Sequence, residues 1–309
     1  MKCFLPLEGD KPRLIASSFY ALLRDEVAEG NPYLDPDDQK KLRDHYPVVL
    51  NLKKYSPGMA AMIYSSRRCH AVQAILDTEF PFVFDAGCGY GSESFLFAGL
   101  GAKVLAVDIS AEQIRIARKR QYYYEELFNK HLDITFIAAN LEEYTLEKTN
   151  VSLTWVASVL AAMRNQDKFL EMTYKATRPK GKIMITDMNL LNPLFLVKEW
   201  YRRQHAKNEN VEFALQADFL AMVRRQDRIG ARYFSGNNGR LFDDVQFFSA
   251  ITLSKLLSNV GFTPGSVFSS GFIPPYLWQL GLDSLENVLS RVPLLRCFGY
   301  FYLVSGLKQ

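Results

Sequence analysis

The chain has 309 residues, and at roughly 100–200 residues per domain this length allows one elaborated domain or two compact ones. Hydrophobic residues at 48% and charged residues at 23% exclude a disordered chain, a collagen-like fibre and a coiled coil. The 37 Lys and Arg against 33 Asp and Glu leave +4, too small an excess to mark a nucleic-acid binder by bulk charge.

Cys3, Cys69, Cys88 and Cys297 lie far apart without a CxxC pair. They predict neither a disulfide framework nor a metal site, and point to a reducing cytoplasm. The N-terminal apolar stretch is too short for a signal peptide. Thr149–Met163 falls short of the about 20 apolar residues a spanning helix needs, and Leu256–Leu282 is broken by Gly261, Pro264, Gly265, Gly271, Pro274 and Pro275. No transmembrane segment is expected.

Arg13–Glu29 places Leu14, Ile15, Phe19, Leu22, Leu23 and Val27 at helical spacing, and Gly30-Asn31-Pro32 ends the helix. A second helix opens at Pro36-Asp37-Asp38 and fades near Tyr46-Pro47; a third covers Ser65–Asp77. Together they predict an N-terminal helical cap over 1–78. From Phe80 short apolar runs alternate with helices. The runs are Phe80–Phe84, Lys103–Val107, Ile134–Ala138, Val151–Val156 and Gly181–Thr186. The helices fall at Ser92–Gly99, Ala111–Asn129, Glu142–Lys148 and Gln166–Thr177. Apolar strands alternating with helices imply a parallel sheet with right-handed crossovers. After an insert at Asn189–Asp244, with about two further helices, come a helix at Ser249–Asn259 and a strand near Ser266–Ser270. A helix near Asp283–Ser290 and a strand at Phe298–Val304 follow, and the two late strands can pair antiparallel at one sheet edge. The fold class is therefore α/β, with a mostly parallel, doubly wound seven-stranded sheet (Rossmann-like) over 79–309 and a helical lid at about 189–244.

Val83-Phe84-Asp85-Ala86-Gly87-Cys88-Gly89-Tyr90-Gly91 ends the first strand and opens a helix. Its glycines permit a tight turn and a close backbone approach to a ligand. A dinucleotide fingerprint needs glycine where Ser92 stands, and no Gly-Lys-Ser/Thr follows to make a phosphate loop. Asp85, two positions before Gly87, suits a cationic or amino-bearing ligand better than a pyrophosphate.

This pattern resembles the first motif of class I S-adenosylmethionine-dependent methyltransferases, and further matches follow in order. Val104-Leu105-Ala106-Val107-Asp108-Ile109-Ser110 is similar to the second strand with its terminal acid, Ala138-Ala139-Asn140-Leu141 to the third, and Val151–Ala157 to the fourth. Arg178-Pro179-Lys180-Gly181-Lys182 is similar to the approach to the fifth. The resemblance implies that Asp85, Gly87, Gly89 and Gly91 hold the methionine end of the cofactor. It likewise implies that Asp108 binds the ribose hydroxyls, Ile109 packs on adenine, and Asn140 and Leu141 meet its amino edge, with Ala157 alongside. Ser110 is the better helix cap, which leaves Asp108 for the ligand. Tyr64 can cover the sulfonium by cation–π contact and Arg68 can pair with the methionine carboxylate; both also suit a packed helix.

The chain departs from many relatives at two places. Ser152 replaces the acid at the start of the fourth strand, and Ala161-Ala162 stand where an acid–His or His–His pair follows it. The tetrads of amino-group and adenine methyltransferases are absent as well. Among four histidines, His205 lies in the insert on the acceptor side and is the candidate base. Between residues 198 and 240 nine basic side chains face five acidic ones. This is either a solvated helix face or a lid that attracts an anionic acceptor. On the second view Asn189, Trp200, Tyr201, Arg202, Arg203, Tyr233 and Arg240 are acceptor-side residues. The expected activity is O-methylation of a small molecule or of a glycan or lipid precursor. The alternatives are a non-catalytic module of the same fold or an RNA methyltransferase, the latter disfavoured because the insert's aromatics are spaced for helix packing.

Overall fold

The computed structural model describes residues 11–46, 57–146, 150–189, 191–193, 233–234, 241–242, 248–273, 285–286, 288–289, 292, 295 and 298–309. Helices α1 (Lys11–Glu29), α2 (Pro36–His45) and α3 (Pro57–Leu76) precede the sheet. Asp35 caps α2 by accepting from the Asp38 N–H at 2.9 Å. Helix α3 begins eight residues before the expected Ser65, with Pro57 at its start, where a fixed φ suits the first turn.

The alternating part follows as β1 (Phe82–Ala86), α4 (Ser92–Gly99), β2 (Lys103–Asp108), α5 (Ala111–Phe128), β3 (Ile134–Ala138) and β4 (Val151–Ala157). It continues with a 3₁₀ turn at Leu160–Ala162, α6 (Gln166–Ala176) and β5 (Thr177–Met188). Helix α7 (Ala250–Val260), β6 (Thr263–Ser270) and β7 (Phe301–Leu307) close the sheet. Its order is β3-β2-β1-β4-β5-β7-β6. Strands β1 to β5 pair in parallel, while β7 lies antiparallel between β5 and β6. The two late strands therefore pair as expected, and β7 also inserts beside β5.

One sheet face packs against α1, α3, α4 and α5, the other against α6 and α7. Ala16, Phe19, Leu23 and Val27 of α1 share a core with Val83, Phe95, Val104 and Trp155. The N-terminal helices thus cover the sheet directly; their described part has no separate core. Ser152, at the place of the acid, ties β4 to β1: its Oγ accepts from the Phe82 N–H at 2.9 Å and donates to the Phe82 carbonyl at 2.8 Å.

The helix expected at Glu142–Lys148 does not form over its described part, which is turn and irregular chain. One local bond and two distant ones compete with it. The Asn140 side chain accepts from the Glu142 N–H at 3.1 Å, and Glu142 Oε1 accepts from the Arg164 and Asn165 N–H groups at 2.8 and 2.7 Å. In the Asn189–Asp244 insert, the described residues form a two-residue antiparallel ribbon, Tyr233–Phe234 against Leu241–Phe242.

Candidate functional site

Strand order reverses between β1 and β4, so a crevice opens beyond the carboxyl ends of these strands, where ligands bind in open α/β sheets. The glycine loop lies there. Gly87, Gly89 and Gly91 adopt φ of 77°, 54° and 82°, a region that side chains disfavour. At Gly87 the constraint is double, since a Cβ would sit 2.7 Å from Val159 after β4. Gly89 is open by contrast: a Cβ there would meet nothing nearer than Gln113 Oε1 at 3.6 Å.

The loop's N–H groups are largely committed within the protein. Gly87 and Cys88 donate to the Val107 carbonyl, Gly91 to the Cys88 carbonyl, and Gly89 to Asp108 Oδ2 at 2.9 Å.

Strand register brings the expected cofactor residues to one edge. Ala86 pairs with Val107 and Val156, and Asp108 pairs with Ala138, so Gly87, Asp108, Ala157 and Asn140 follow neighbouring strand ends. Ser110 caps α5, its Oγ accepting from the Gln113 N–H at 3.3 Å. Asp108 is not left idle: Oδ1 accepts from the Ser110 N–H at 2.8 Å and Oδ2 from the Gly89 N–H at 2.9 Å. The carboxylate thus braces the glycine loop against the start of α5. Ile109 is 60% exposed beside it, an apolar surface for a flat ring, while Leu141 is buried. Asn140 turns partly on itself, its amide donating to Glu143 Oε1 at 3.1 Å.

The surroundings of the loop are acidic. Asp85 is buried, accepts from Ser94 Oγ at 2.5 Å, and is pushed up to about 8 by burial and by the neighbouring Glu93. Burial works against the Glu93 charge, yet Arg68 beside it holds this carboxyl below its usual range. Arg68 grips Glu93 Oε1 through Nε at 2.7 Å and through Nη2, and its Nη1 donates to the Tyr64 carbonyl at 3.2 Å. The guanidinium lies 3.6 Å over the Tyr64 ring. This corrects the expectation for both residues. The cation on Tyr64 is Arg68, Tyr20 covers the ring from 5.1 Å, and the fork of Arg68 is filled by Glu93.

Asp85 gives a pH test. Between the ordinary carboxylate value, about 4, and its own, about 8, the folded protein keeps a proton that the unfolded chain has lost. The unfolded state then binds fewer protons, so stability falls as pH rises through this window. We expect Asp85→Asn to flatten the decline in melting temperature between pH 5 and pH 8; an unchanged slope would place the titrating group elsewhere.

On the acceptor side Asn189 is fully buried, its amide donating to the Gly299 carbonyl at 2.9 Å and its Oδ1 accepting from the Leu191 N–H at 3.1 Å. It holds the exit of β5 against the chain before β7, as does Asn192 through the Phe298 carbonyl. Trp200, Tyr201, Arg202, Arg203, His205 and Arg240 lie outside the described residues, as does the Tyr233 side chain.

The strand end itself carries groups that pattern reading passes over. Arg67 of α3 donates from Nη1 to Thr186 Oγ1 at 2.9 Å and lies 4.3 Å over the Phe301 ring. Asp187, on the opposite face, accepts from the Met188 N–H at 2.7 Å and is pushed up to about 6 by burial. Asp187 carries a signal: it ends an apolar strand as Asp108 does. Arg67 carries none, being one of two adjacent arginines on a helix. Among the described residues no cluster of three His, Cys, Asp or Glu side chains can hold a metal ion, and no helix is long and apolar enough to cross a membrane.

Residues 82–234 match the methyltransferase domain family. Over 138 residues the chain is 30% identical to malonyl-[acyl-carrier protein] O-methyltransferase of Salmonella typhimurium, covering 42% of this chain and 51% of that protein. Over 110 residues it is 32% identical to the mitochondrial ubiquinone biosynthesis O-methyltransferase of Rattus norvegicus, covering 35% of this chain and 30% of that one. The chain thus spans about half or less of the length of these relatives. Its fold superposes on an S-adenosylmethionine-dependent methyltransferase of Methanosarcina mazei with a TM-score of 0.51 at 14% identity, covering 75% of this chain and 93% of that one. Residues 82–234 thus carry the pattern of a methyltransferase domain, and the fold is the one S-adenosylmethionine-dependent methyltransferases adopt.

Proposed function

We propose that the protein methylates an oxygen of a small acceptor that carries a carboxylate or phosphate. The observation that supports the cofactor side of this reading best is Asp108 at the end of β2, a carboxylate bonded to the Gly89 and Ser110 N–H groups at the mouth of the glycine loop. A carboxylate there suits a ligand with vicinal hydroxyls and repels a pyrophosphate. S-adenosylmethionine supplies a methyl group activated by its sulfonium. Asp108 would hold the ribose, Ile109 the adenine face, and Asp85 the amino end. Methyl transfer is an in-line displacement, so holding the acceptor in line is the main task left to the chain.

The choice of oxygen draws on two observations. Both relatives named above are O-methyltransferases by name. Ala161 and Ala162 sit on the 3₁₀ turn after β4 and bring no base there. A carboxylate or phenol is acidic enough to need little help, and His205 is our candidate where a hydroxyl must lose its proton. The preference for an anion rests on the basic lid at about 189–244, nine basic against five acidic side chains between residues 198 and 240, which follows the β5 end. Trp200, Tyr201, Tyr233 and Arg240 would line the acceptor there, with Arg202 and Arg203 meeting its charge.

Incubating the protein with methyl-labelled cofactor and a cell extract tests the class of acceptor. Label is expected in anionic small molecules, and Arg202→Gln with Arg203→Gln should raise the acceptor KM several-fold while leaving cofactor affinity unchanged. Label in RNA or protein alone would reject the proposal, and label nowhere would favour a non-catalytic module.

A further inference from the structure

Arg120 of α5 and Glu26 of α1 are both fully buried, which is costly for two charges unless each is bonded on several sides. Arg120 Nε donates to Glu26 Oε1 at 2.8 Å and Nη2 to Oε2 at 2.6 Å. Its remaining arm turns to the glycine loop. Nη1 donates to the Tyr90 carbonyl at 2.6 Å and to Ser92 Oγ at 3.1 Å. Glu26 is completed by the Tyr124 hydroxyl at 2.8 Å and the Asn31 amide at 2.7 Å, and Ser92 Oγ also meets the Tyr46 hydroxyl at 2.7 Å. Burial opposes the Glu26 charge, but Arg120 holds its carboxyl below the usual range.

The bond to Tyr90 has a particular effect. The peptide between Tyr90 and Gly91 is held from both sides, its carbonyl by Arg120 and its N–H by the Cys88 carbonyl at 2.8 Å. This fixes the orientation of the one peptide joining Gly89 and Tyr90 to the start of α4, within a run of positive φ at Gly89 and Gly91. A glycine-rich turn has many accessible conformations, and ordering it on binding would cost affinity. A buried guanidinium on its carbonyl removes that cost in advance. A surface salt bridge would fasten α1 to α5 equally well without reaching the loop.

We infer that Arg120 is a positioning residue for the cofactor loop, and that Glu26, by holding it, makes helix α1 a working part of the cofactor site. The pair is more than a fastener between two helices. Helix α1 then acts on cofactor affinity through the relay from Glu26 to Arg120 to the Tyr90 carbonyl.

The test compares binding with stability in the full chain. S-adenosylhomocysteine is titrated by calorimetry into wild type, Arg120→Lys and Val27→Ala, with melting temperatures recorded alongside. Lysine keeps the buried positive charge but cannot reach Glu26 and the Tyr90 carbonyl with separate arms. The Val27 side chain is fully buried in the core on the same helix, so its truncation lowers stability without disturbing the loop. The expected result is a Kd about tenfold higher for Arg120→Lys, equivalent to roughly 1.4 kcal/mol, and a wild-type Kd for Val27→Ala. If Arg120→Lys does not fold, Glu26→Gln replaces it, with a Kd expected to rise several-fold in the same direction. A folded Arg120→Lys or Glu26→Gln with wild-type Kd would overturn the inference. So would a Val27→Ala protein that loses as much affinity, because general loosening would then suffice. Wild type that binds no S-adenosylhomocysteine would instead count against the cofactor assignment, and the inference would fall with it.

Discussion

Asp108→Ala is expected to raise the Kd for S-adenosylhomocysteine at least a hundredfold. The carboxylate does two jobs at the end of β2. It accepts the Gly89 and Ser110 N–H groups at 2.9 and 2.8 Å, and under the proposed function it also meets the ribose hydroxyls. Two charge-assisted bonds to the ligand, each worth about 1.5–3 kcal/mol, already account for that loss. Release of the Gly89 amide would add to it by loosening the loop. Asp108→Asn keeps one acceptor oxygen and should fall between the two. Calorimetry on the three proteins measures the series, and an alanine variant within threefold of wild type would remove Asp108 from the site.

Gly87→Ala should cost about 2–5 kcal/mol of stability and much of the cofactor affinity. At φ 77° an L-residue is strained by about 1–2 kcal/mol, and the new methyl would lie 2.7 Å from Val159 Cβ and Cγ2. Overpacking of that kind adds roughly 1–3 kcal/mol. The two causes separate in a double variant: Val159→Ala opens room for the methyl but leaves the dihedral unchanged. Urea unfolding of the four proteins should show a coupling of about 1–3 kcal/mol between the positions. Additive effects would mean that Val159 does not press on the loop.

Much of this architecture is legible in the sequence because its signals are local. Buried parallel strands need continuous apolar runs, so Lys103–Asp108, Ile134–Ala138 and Val151–Ala157 stand out with boundaries correct to one residue. The glycine loop and Asp108 are legible for the same reason, since positive φ and a strand-ending acid leave marks at fixed positions. Ser110 is the cap that its position suggests, but this does not free Asp108, because a carboxylate beside glycine amides finds donors of its own.

What escapes sequence reading is carried by distant partners. Glu26 and Arg120 are 94 residues apart, and nothing near either marks it as buried; by composition each belongs on a solvated helix face. Arg67 and Thr186 lie 119 apart. Tyr64 and Arg68 do lie near the loop, but Glu93, 25 residues beyond Arg68, determines what they do there. The absent helix after β3 has a similar cause, since Glu142 reaches backbone groups 22 and 23 residues away. Asn189 has the position of a ligand residue, ending a strand at the right edge, whereas its amide closes the seam with the chain near Gly299.

The most direct measurement is calorimetric titration of the full chain with S-adenosylhomocysteine and, separately, with a nicotinamide dinucleotide. The bonded amides of Gly87, Cys88, Gly89 and Gly91, with Asp108 beside them, predict saturable binding of S-adenosylhomocysteine and no heat from the dinucleotide. Tight dinucleotide binding with no response to S-adenosylhomocysteine would contradict the assignment of this site.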